Sequence, residues 1–176
     1  MTVKRRAAPA AVPARRDPLL ADWPDHGVYQ LWLRVSVAIR VQVGRLGMFR
    51  FPAGTYVYTG RAARGLRARV RRHLRGCHGR TGREASGCTH GRSRRAGTRG
   101  TGQDRVPAKF WHIDYLLARR EVHVERVVLA SPDPGNECAV NQTVRGTAVV
   151  AGFGASDCRQ RCRAHLRRVA ARRVVQ

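Results

Sequence analysis

Two tyrosine motifs contain the side chains of this sequence that are best suited to acid–base chemistry. Tyr29 ends the motif GVY, and Tyr58 begins the motif YTG. A phenol has a pKa of about 10 and is neutral near pH 7. Neighbouring cations or hydrogen bonds can lower that pKa, and the phenol then acts as a general base. A single tyrosine is more often a half-buried strand residue, so the ordered pair is the informative feature.

Charged side chains follow the tyrosines at spacings that suit phosphate chemistry. Arg69 is permanently charged, and its planar guanidinium can bind a phosphate through two hydrogen bonds. His73, one helical turn later, could orient a tyrosine or a phosphate, or be a base itself. Glu137 offers the hard oxygen atoms that Mg²⁺ prefers. The alternatives are a surface arginine, a solvated histidine and a glutamate that stabilises a helix start.

The elements that must position these side chains can be read from the periodicity. Alternating apolar and polar residues predict four strands, at 27–35, 38–44, 55–60 and 121–130. The first two are expected to form a hairpin that turns near Ser36. Segment 44–54, which is punctuated by glycine and proline, is predicted to be irregular. With the helices described next, this pattern indicates an α/β (α+β) domain with a small, mainly antiparallel sheet flanked by helices.

A helix is predicted over residues 65–75. Its apolar residues share one narrow stripe and are Leu66, Val70 and Leu74. Arg69 and His73 lie at the edge of that stripe, so they are expected along the margin of the sheet. Shorter helices are predicted within 108–120 and 136–146, and a basic helix or tail within 166–176.

The two motifs, the following helix with Arg69 and His73, and Glu137 resemble the GIY-YIG nuclease superfamily. They are most similar to its compact Uri-type, GIY-YIG endonuclease-like branch, from about Gly27 to Leu166. Val28 and Thr59 depart from the literal motif, but both are β-branched and suit a strand. The stretch WHIDY at 111–115 also resembles this branch.

The resemblance implies a metal-dependent endonuclease that hydrolyses phosphodiester bonds in DNA, with structure-specific cleavage expected and RNA as the other substrate. In it, Tyr29 is the base for water, Tyr58 and His73 support the site, and Arg69 holds the phosphate. Glu137 binds one Mg²⁺ or Mn²⁺. The residues expected to contact substrate are Arg61, Arg72 and His112. The alternative is a non-catalytic nucleic-acid-binding module on the same fold.

The composition favours a polyanionic partner. The chain of 176 residues has 35 Lys+Arg against 11 Asp+Glu and a formal charge of +24. Such a field attracts DNA, although it does not distinguish a nuclease from a binding module. No apolar run is long enough to span a bilayer, and a cytoplasmic location is the expectation. The oligomeric state is left open.

The domain organisation follows from composition shifts. Residues 1–24 are expected to form a disordered basic arm, and 25–166 the GIY-YIG-like domain. The Arg- and Gly-rich segment 76–107 is expected to be a disordered insertion in that domain. Residues 167–176 are expected to form a basic tail.

Cysteine and histidine residues near the end of the chain offer a second kind of site. Cys138, Cys158, Cys162 and His165 have the residue types of a tetrahedral Cys₃His zinc site, although the spacing is loose. A zinc-stabilised interaction protein is therefore a further functional alternative. Weaker metal-ligand candidates lie in the arginine-rich segment and are Cys77, His78, Cys88 and His90.

Overall fold

The computed structural model describes residues 20–75 and 111–170. In chain order the elements are β1 (Gly27–Val35), β2 (Ile39–Val43), β3 (Gly47–Phe51), β4 (Gly54–Ala62), α1 (Leu66–Arg75), α2 (His112–Leu117), β5 (Val122–Ser131), α3 (Glu137–Thr143), β6 (Thr147–Ala148) and β7 (Leu166–Val169). Short 3₁₀ turns lie at Gly44–Leu46 and Pro134–Asn136.

The main sheet has five strands in the order β5-β1-β4-β7-β6, and all its pairings are antiparallel. This arrangement, with helices beside it, confirms the predicted α+β class. Strands β1 and β4 are hydrogen-bonded to neighbours on both edges, so they form the interior of the sheet. Both strands are buried at five consecutive positions, 27–31 in β1 and 56–60 in β4, because both faces of an interior strand can be covered.

The register of β1 and β4 brings the two tyrosine motifs together. Tyr29 is opposite Gly60, and Leu31 is opposite Tyr58. Side chains two residues apart on a strand point to the same face, so Tyr29, Leu31 and Tyr58 share one face of the sheet. That face belongs to the main hydrophobic core. The pairing thus places the two phenol rings side by side, beneath the helix that packs on this face of the sheet.

Helix α1 packs on that face through the predicted stripe. Leu66, Val70 and Leu74 are all buried, which confirms the periodicity argument. The start of the helix is held by Asp25, whose carboxylate accepts a 3.0 Å hydrogen bond from the Gly65 N–H. The Asp25 carbonyl accepts a second bond from the Leu66 N–H at 2.8 Å. Because free N–H groups at a helix start need acceptors, this cap fixes where α1 begins.

The predicted β1–β2 hairpin is wrong. Strand β2 pairs with β3, and the two form a separate two-stranded sheet. The physical reason is that β4 and β5 occupy both edges of β1, which leaves no edge for β2. The Ser36 N–H bonds instead to the Glu121 carbonyl at 2.9 Å. Segment 44–54, expected to be irregular, contains β3 and the start of β4.

The packed residues extend beyond two of the predicted domain boundaries. Leu20 is fully buried and Trp23 packs against the core, so 20–24 is part of the domain rather than of a free arm. Residues 167–169 continue β7, so the sheet extends past the expected start of the tail. The remaining arm (1–19), the insertion (76–107) and the last residues (171–176) lie outside the described residues. None of the helices within 20–75 and 111–170 is long and apolar enough to cross a membrane.

Candidate functional site

Three side chains from β1, α1 and α2 form a hydrogen-bonded chain. The Tyr29 hydroxyl lies 2.9 Å from His73 Nε2, and His73 Nδ1 lies 2.9 Å from Asp114 Oδ1. His73 is 1% exposed, so it is a core residue rather than a residue on the sheet margin as the helix pattern predicted. The chain runs from an acid through an imidazole to a phenol, which is an arrangement that can move a proton.

The hydrogen bonds to Asp114 determine the direction of this chain. A carboxylate only accepts hydrogen bonds, so His73 Nδ1 carries a hydrogen that it donates to Asp114. In a neutral imidazole Nε2 is then the acceptor, and the Tyr29 hydroxyl donates to it. Asp114 Oδ2 also accepts from the Trp111 N–H at 3.0 Å and from Arg72 at 3.2 Å. Arg72, expected to contact substrate, therefore makes an ion pair with Asp114.

The two tyrosines are not preformed phenolates. Burial is the main cause that raises the pKa of Tyr29 well above its usual value, and Tyr58, Glu137 and Asp114 add to it. Arg69 acts in the opposite direction but is outweighed. Burial likewise raises the pKa of Tyr58. A proton can therefore be accepted by Tyr29 only if its own hydroxyl proton leaves at the same time.

Gly60 of the second motif makes room for the Tyr29 ring. A Cβ at Gly60 would lie 2.7 Å from both Cζ and the hydroxyl oxygen of Tyr29. The Tyr29 and Tyr58 rings meet edge to face at 6.3 Å, and the His73 ring lies 5.9 Å from Tyr29 and 6.5 Å from Tyr58. Any larger residue at position 60 would push the Tyr29 hydroxyl away from His73.

A cleft of about 520 Å³ opens beside this buried cluster. Its walls come from the end of β4, from α1, from the start of α2, from α3 and from the loop before β7. The lining residues are Arg61, Ala63, Arg69, Trp111, His112, Glu137, Gly154, Ser156 and Asp157. The Arg69 guanidinium lies 4.4 Å from the centre of the Trp111 ring and donates to the Arg61 carbonyl. The cleft therefore presents the anchored Arg69 guanidinium together with acidic oxygens and a second guanidinium, that of Arg61.

Glu137 lines the same cleft as Arg69. Its Oε2 lies 3.1 Å from Arg61 Nε, and its Oε1 lies 3.4 Å from His165 Nδ1. Arg61 also lies 3.4 Å from Asp157 Oδ2, so it bridges two carboxylates. Arg61 was expected to contact substrate, and in the structure its guanidinium is held by these two acids.

The predicted site residues thus divide into two layers. Arg69, Glu137 and His112 line the cleft, and His112 Nδ1 accepts a 3.1 Å hydrogen bond from the Gly154 N–H. Burial lowers the pKa of His112, with a backbone hydrogen bond acting in the other direction. Tyr29, Tyr58 and His73, expected in the cleft wall, lie beneath it and are almost fully buried. Their exposed fractions are 1%, 6% and 1%, in that order.

Two acids were not among the predicted site residues. Asp114 orients His73, and Asp157 pairs with Arg61 at the rim of the cleft. The signal for Asp114 was the stretch WHIDY, which contains both His112 and Asp114. In the structure these two side chains have different partners. Asp114 bonds to His73, and His112 bonds to Gly154. Nothing in the sequence around Asp157 distinguishes it from an ordinary turn residue.

The predicted cysteine–histidine cluster forms next to Glu137. One ligand atom from each of Cys138, Cys158, Cys162 and His165 lies within 4.8 Å of the others, close enough for a metal ion such as zinc. Burial opposes ionisation of Cys158, but hydrogen bonds from the Cys162 N–H and from Cys138 lower its pKa to about 7. A thiolate, the form that binds metals, is therefore accessible there.

The comparisons with known proteins give a family and nothing more specific. A family model described as "Domain of unknown function DUF123" matches residues 28–176. No curated protein and no solved structure matches the chain. The match covers both motif tyrosines, the cleft and the cysteine–histidine cluster.

Proposed function

The chain belongs to the DUF123 family, and we propose that it is a metal-dependent endonuclease that hydrolyses phosphodiester bonds in DNA. The observation that carries the proposal is the convergence of two features. An Asp114–His73–Tyr29 hydrogen-bonded chain ends beneath a cleft lined by both Arg69 and Glu137. The formal charge of +24 supports a nucleic-acid substrate for that cleft.

The proposed proton path uses the geometry already described. The attacking water gives a proton to the Tyr29 oxygen while the Tyr29 hydroxyl hydrogen passes to His73 Nε2. A new P–O bond forms as the bond between phosphorus and the leaving sugar oxygen breaks. Asp114 stabilises the resulting imidazolium and holds the ring in one tautomer, as the acid does in other nucleophile-activating triads. Arg69 stabilises the charge that develops on the phosphate.

The proposed divalent cation would be held by acidic oxygens of the cleft. Glu137, with Asp157 beside it, would hold Mg²⁺ or Mn²⁺, which requires only one or two carboxylates besides water and phosphate. Arg61 already places positive charge between these two carboxylates, at 3.1 and 3.4 Å. The bound cation would neutralise phosphate charge and stabilise the leaving oxygen. A cation bound through Glu137 Oε2 would replace the contact with Arg61, whose guanidinium would then be able to contact the DNA backbone.

A specific observation favours a second candidate, a non-catalytic nucleic-acid-binding module. Tyr29 is 1% exposed, and both carboxylate oxygens of Glu137 already face a cationic or imidazole partner. A protein that only binds DNA needs neither a reachable phenol nor a free carboxylate. The nuclease requires substrate to uncover Tyr29, whereas the binding module keeps the site as it stands.

Cleavage assays distinguish these functions. Supercoiled plasmid, four-way-junction DNA and matched RNA are incubated with the full chain and Mg²⁺, Mn²⁺ or a chelator. We expect metal-dependent cleavage of DNA, highest on the branched substrate. Glu137→Gln keeps size but removes charge, so cleavage should fall by orders of magnitude while DNA binding persists. Glu125→Gln is the control, because Glu125 is exposed and pairs with Arg34 away from the cleft.

Two outcomes would reject the assignments. Cleavage that survives Glu137→Gln would remove that residue as the metal ligand. Wild-type protein that binds every DNA but cuts none, with either metal, would favour the binding module.

A further inference from the structure

We propose that Cys138, Cys158, Cys162 and His165 bind one structural zinc ion, which fastens the segment 149–165 to the start of α3. The inference concerns the folded scaffold and is independent of whether the cleft cuts DNA. It rests on the spacing of the ligand atoms, on their burial and on the backbone between them.

All the ligand atoms lie within 4.8 Å of one another, and two of the separations are close to those of a tetrahedral site. Around zinc with Zn–S bonds of 2.3 Å, sulfur atoms lie roughly 3.8 Å apart, and a histidine nitrogen lies roughly 3.6 Å from each sulfur. Cys138 Sγ and Cys158 Sγ are 3.4 Å apart, and Cys138 Sγ is 4.0 Å from His165 Nε2. A disulfide needs about 2.05 Å, so Cys138 and Cys158 are not bonded. All three cysteines in the described residues are free and belong to this cluster.

The four side chains make a closed site rather than a catalytic one. Catalytic zinc keeps an open position for water, whereas structural zinc has four protein ligands. Cys138 and His165 are buried, and Cys158 and Cys162 are half-buried. Three thiolates and an imidazole therefore fill the coordination shell. None of these four residues lines the cleft, although Glu137, the chain neighbour of Cys138, does.

The backbone around Cys158 and Cys162 forms an irregular loop of the kind that presents metal ligands. Segment 149–165 contains turns and bends but no helix or strand, and irregular loops beyond about 12–15 residues are uncommon in compact domains without a function. The Cys162 N–H donates to Cys158 Sγ at 3.4 Å. Arg161, between them in the chain, has φ 53°, the one positive φ at a non-glycine residue in the described ranges. Such strain persists only where surrounding contacts impose it.

The zinc would join three parts of the fold. Cys138 is in the first turn of α3, Cys158 and Cys162 are in the loop, and His165 immediately precedes β7. The His165 carbonyl accepts a 2.9 Å hydrogen bond from the Thr59 N–H of β4, and the His165 N–H bonds to the Phe153 carbonyl at 2.8 Å. A metal at this junction therefore ties the loop to the sheet beside Tyr58.

The cluster also touches Glu137. His165 Nε2 faces the sulfur atoms, and its Nδ1 lies 3.4 Å from Glu137 Oε1. That distance suits an ion pair, but the alignment is not that of a hydrogen bond, since Nδ1 has no hydrogen-bond partner among the described residues. Carboxylates commonly orient metal-bound histidines by accepting a hydrogen bond from the ring nitrogen that faces away from the metal, and Glu137 lies on that side of His165. If Glu137 is the ligand that the proposed function requires, zinc fixes its position.

Metal analysis of the full chain tests the proposal. Protein is purified under reducing conditions with zinc in the growth medium, and bound zinc is measured by mass spectrometry. Relative to wild type, Cys158→Ser and Cys162→Ser should each lose about one zinc per chain, as expected for one Cys₃His site. His165→Cys should retain it, because a fourth thiolate also suits zinc. The control is the double variant Cys77→Ser/Cys88→Ser, whose positions lie outside the described residues and which should retain the cluster's zinc.

A measurement on wild type covers the case in which the serine variants do not fold. Cobalt-substituted protein should give the intense visible bands of a tetrahedral ion with thiolate charge transfer. X-ray absorption at the zinc edge should give about three sulfur neighbours near 2.3 Å and one nitrogen near 2.0–2.1 Å. Both measurements report ligands directly and do not depend on nuclease activity.

The proposal is overturned if folded wild-type protein contains no zinc, or if Cys158→Ser retains all of it. Recovery of folded, metal-free protein with Cys138 joined to Cys158 by a disulfide would also overturn it. Zinc that is bound normally by protein without cleavage activity would leave the zinc proposal intact and would count only against the nuclease.

Discussion

The hydroxyl of Tyr29 lies 2.9 Å from Nε2 of His73, and both side chains are almost completely buried. This contact joins the first strand of the sheet to the helix that follows the second tyrosine motif. The His73 ring is held on its other side by Asp114, at the start of α2. The two tyrosine motifs and the helix therefore act as one packed unit, and the phenol has a defined partner for its proton.

Interrupting this unit should reduce cleavage more than stability. His73→Gln removes the proton acceptor but keeps a polar side chain, so the rate should fall about 10²–10⁴-fold, the usual contribution of general acid–base catalysis. Asp114→Asn should lower the rate less. The double variant should be little worse than His73→Gln alone, because residues that act as a unit are not additive. Single-turnover cleavage measures all three, with exposed His26→Gln as the control.

Normal cleavage by the His73 variant would show that this residue has a structural role rather than a chemical one. If His73→Gln cleaves normally once it is shown to be folded by circular dichroism, His73 serves packing alone and Tyr29 needs another proton acceptor.

Arg69 should matter for its charge and for its shape. Arg69→Ala removes the guanidinium from the cleft and should cost about 2–4 kcal/mol of transition-state stabilisation, as for other preorganised charge-stabilising donors. Arg69→Lys keeps the charge but loses the planar pair of donors and the stacking on Trp111, so it should rescue only part of the rate. Arg75→Ala, exposed on the same helix, is the matched control. Equal rates for Arg69→Ala and Arg75→Ala would exclude Arg69 from the reaction.

DNA affinity should fall steeply with salt. Each phosphate neutralised by arginine releases condensed counterions, so a protein with six to ten such contacts loses roughly 10³–10⁵ in affinity between about 50 and about 200 mM salt. Fluorescence anisotropy with a labelled duplex measures the slope of log affinity against log salt. Glu137→Gln should keep a steep slope, because the other arginines of the surface are unchanged and loss of the carboxylate leaves Arg61 paired only with Asp157. A flat response would mean that the excess of positive charge is not used on a polyanion.

The buried phenols should make the protein sensitive to alkali. Burial raises the pKa of Tyr29, so the folded state keeps a proton that the unfolded chain releases above about pH 10. The stabilisation is therefore complete below about pH 10 and is lost as the pH rises towards the folded pKa. The free energy of unfolding should fall by up to about 1.4 kcal/mol per pH unit from this group.

Denaturant titrations between about pH 9 and about pH 11 test this prediction. Tyr29→Phe has no proton to lose, so its stability should decline less steeply than that of wild type. Phenolate absorbance in the folded protein should also fall short of all four tyrosines. Full ionisation of four tyrosines near pH 10, without unfolding, would contradict the burial argument.

The sequence allowed us to predict which elements carry the site residues, but not how deeply those residues are buried. Period-two alternation predicted the strands that carry Tyr29 and Tyr58, and the helical stripe predicted how α1 packs. Local patterns do not report which strand edge is free, and so the β2 pairing was wrong. Nor do they report that Asp114, on a separate helix, would complete the partners of His73. Burial of that histidine depends on α2 covering it, a contact between segments 41 residues apart.

The position of β7 affects how the chain folds during synthesis. Leu166–Val169 pairs with β4 inside the sheet, with Leu166 opposite Tyr58. Until these residues leave the ribosome, one edge of β4 has no hydrogen-bonded partner strand. The loop beside the cleft is then not yet followed by β7. Pairings between distant segments form slowly, and unpaired edges promote aggregation. The edge of β4 beside the cleft is therefore covered only after residue 169 has been synthesised.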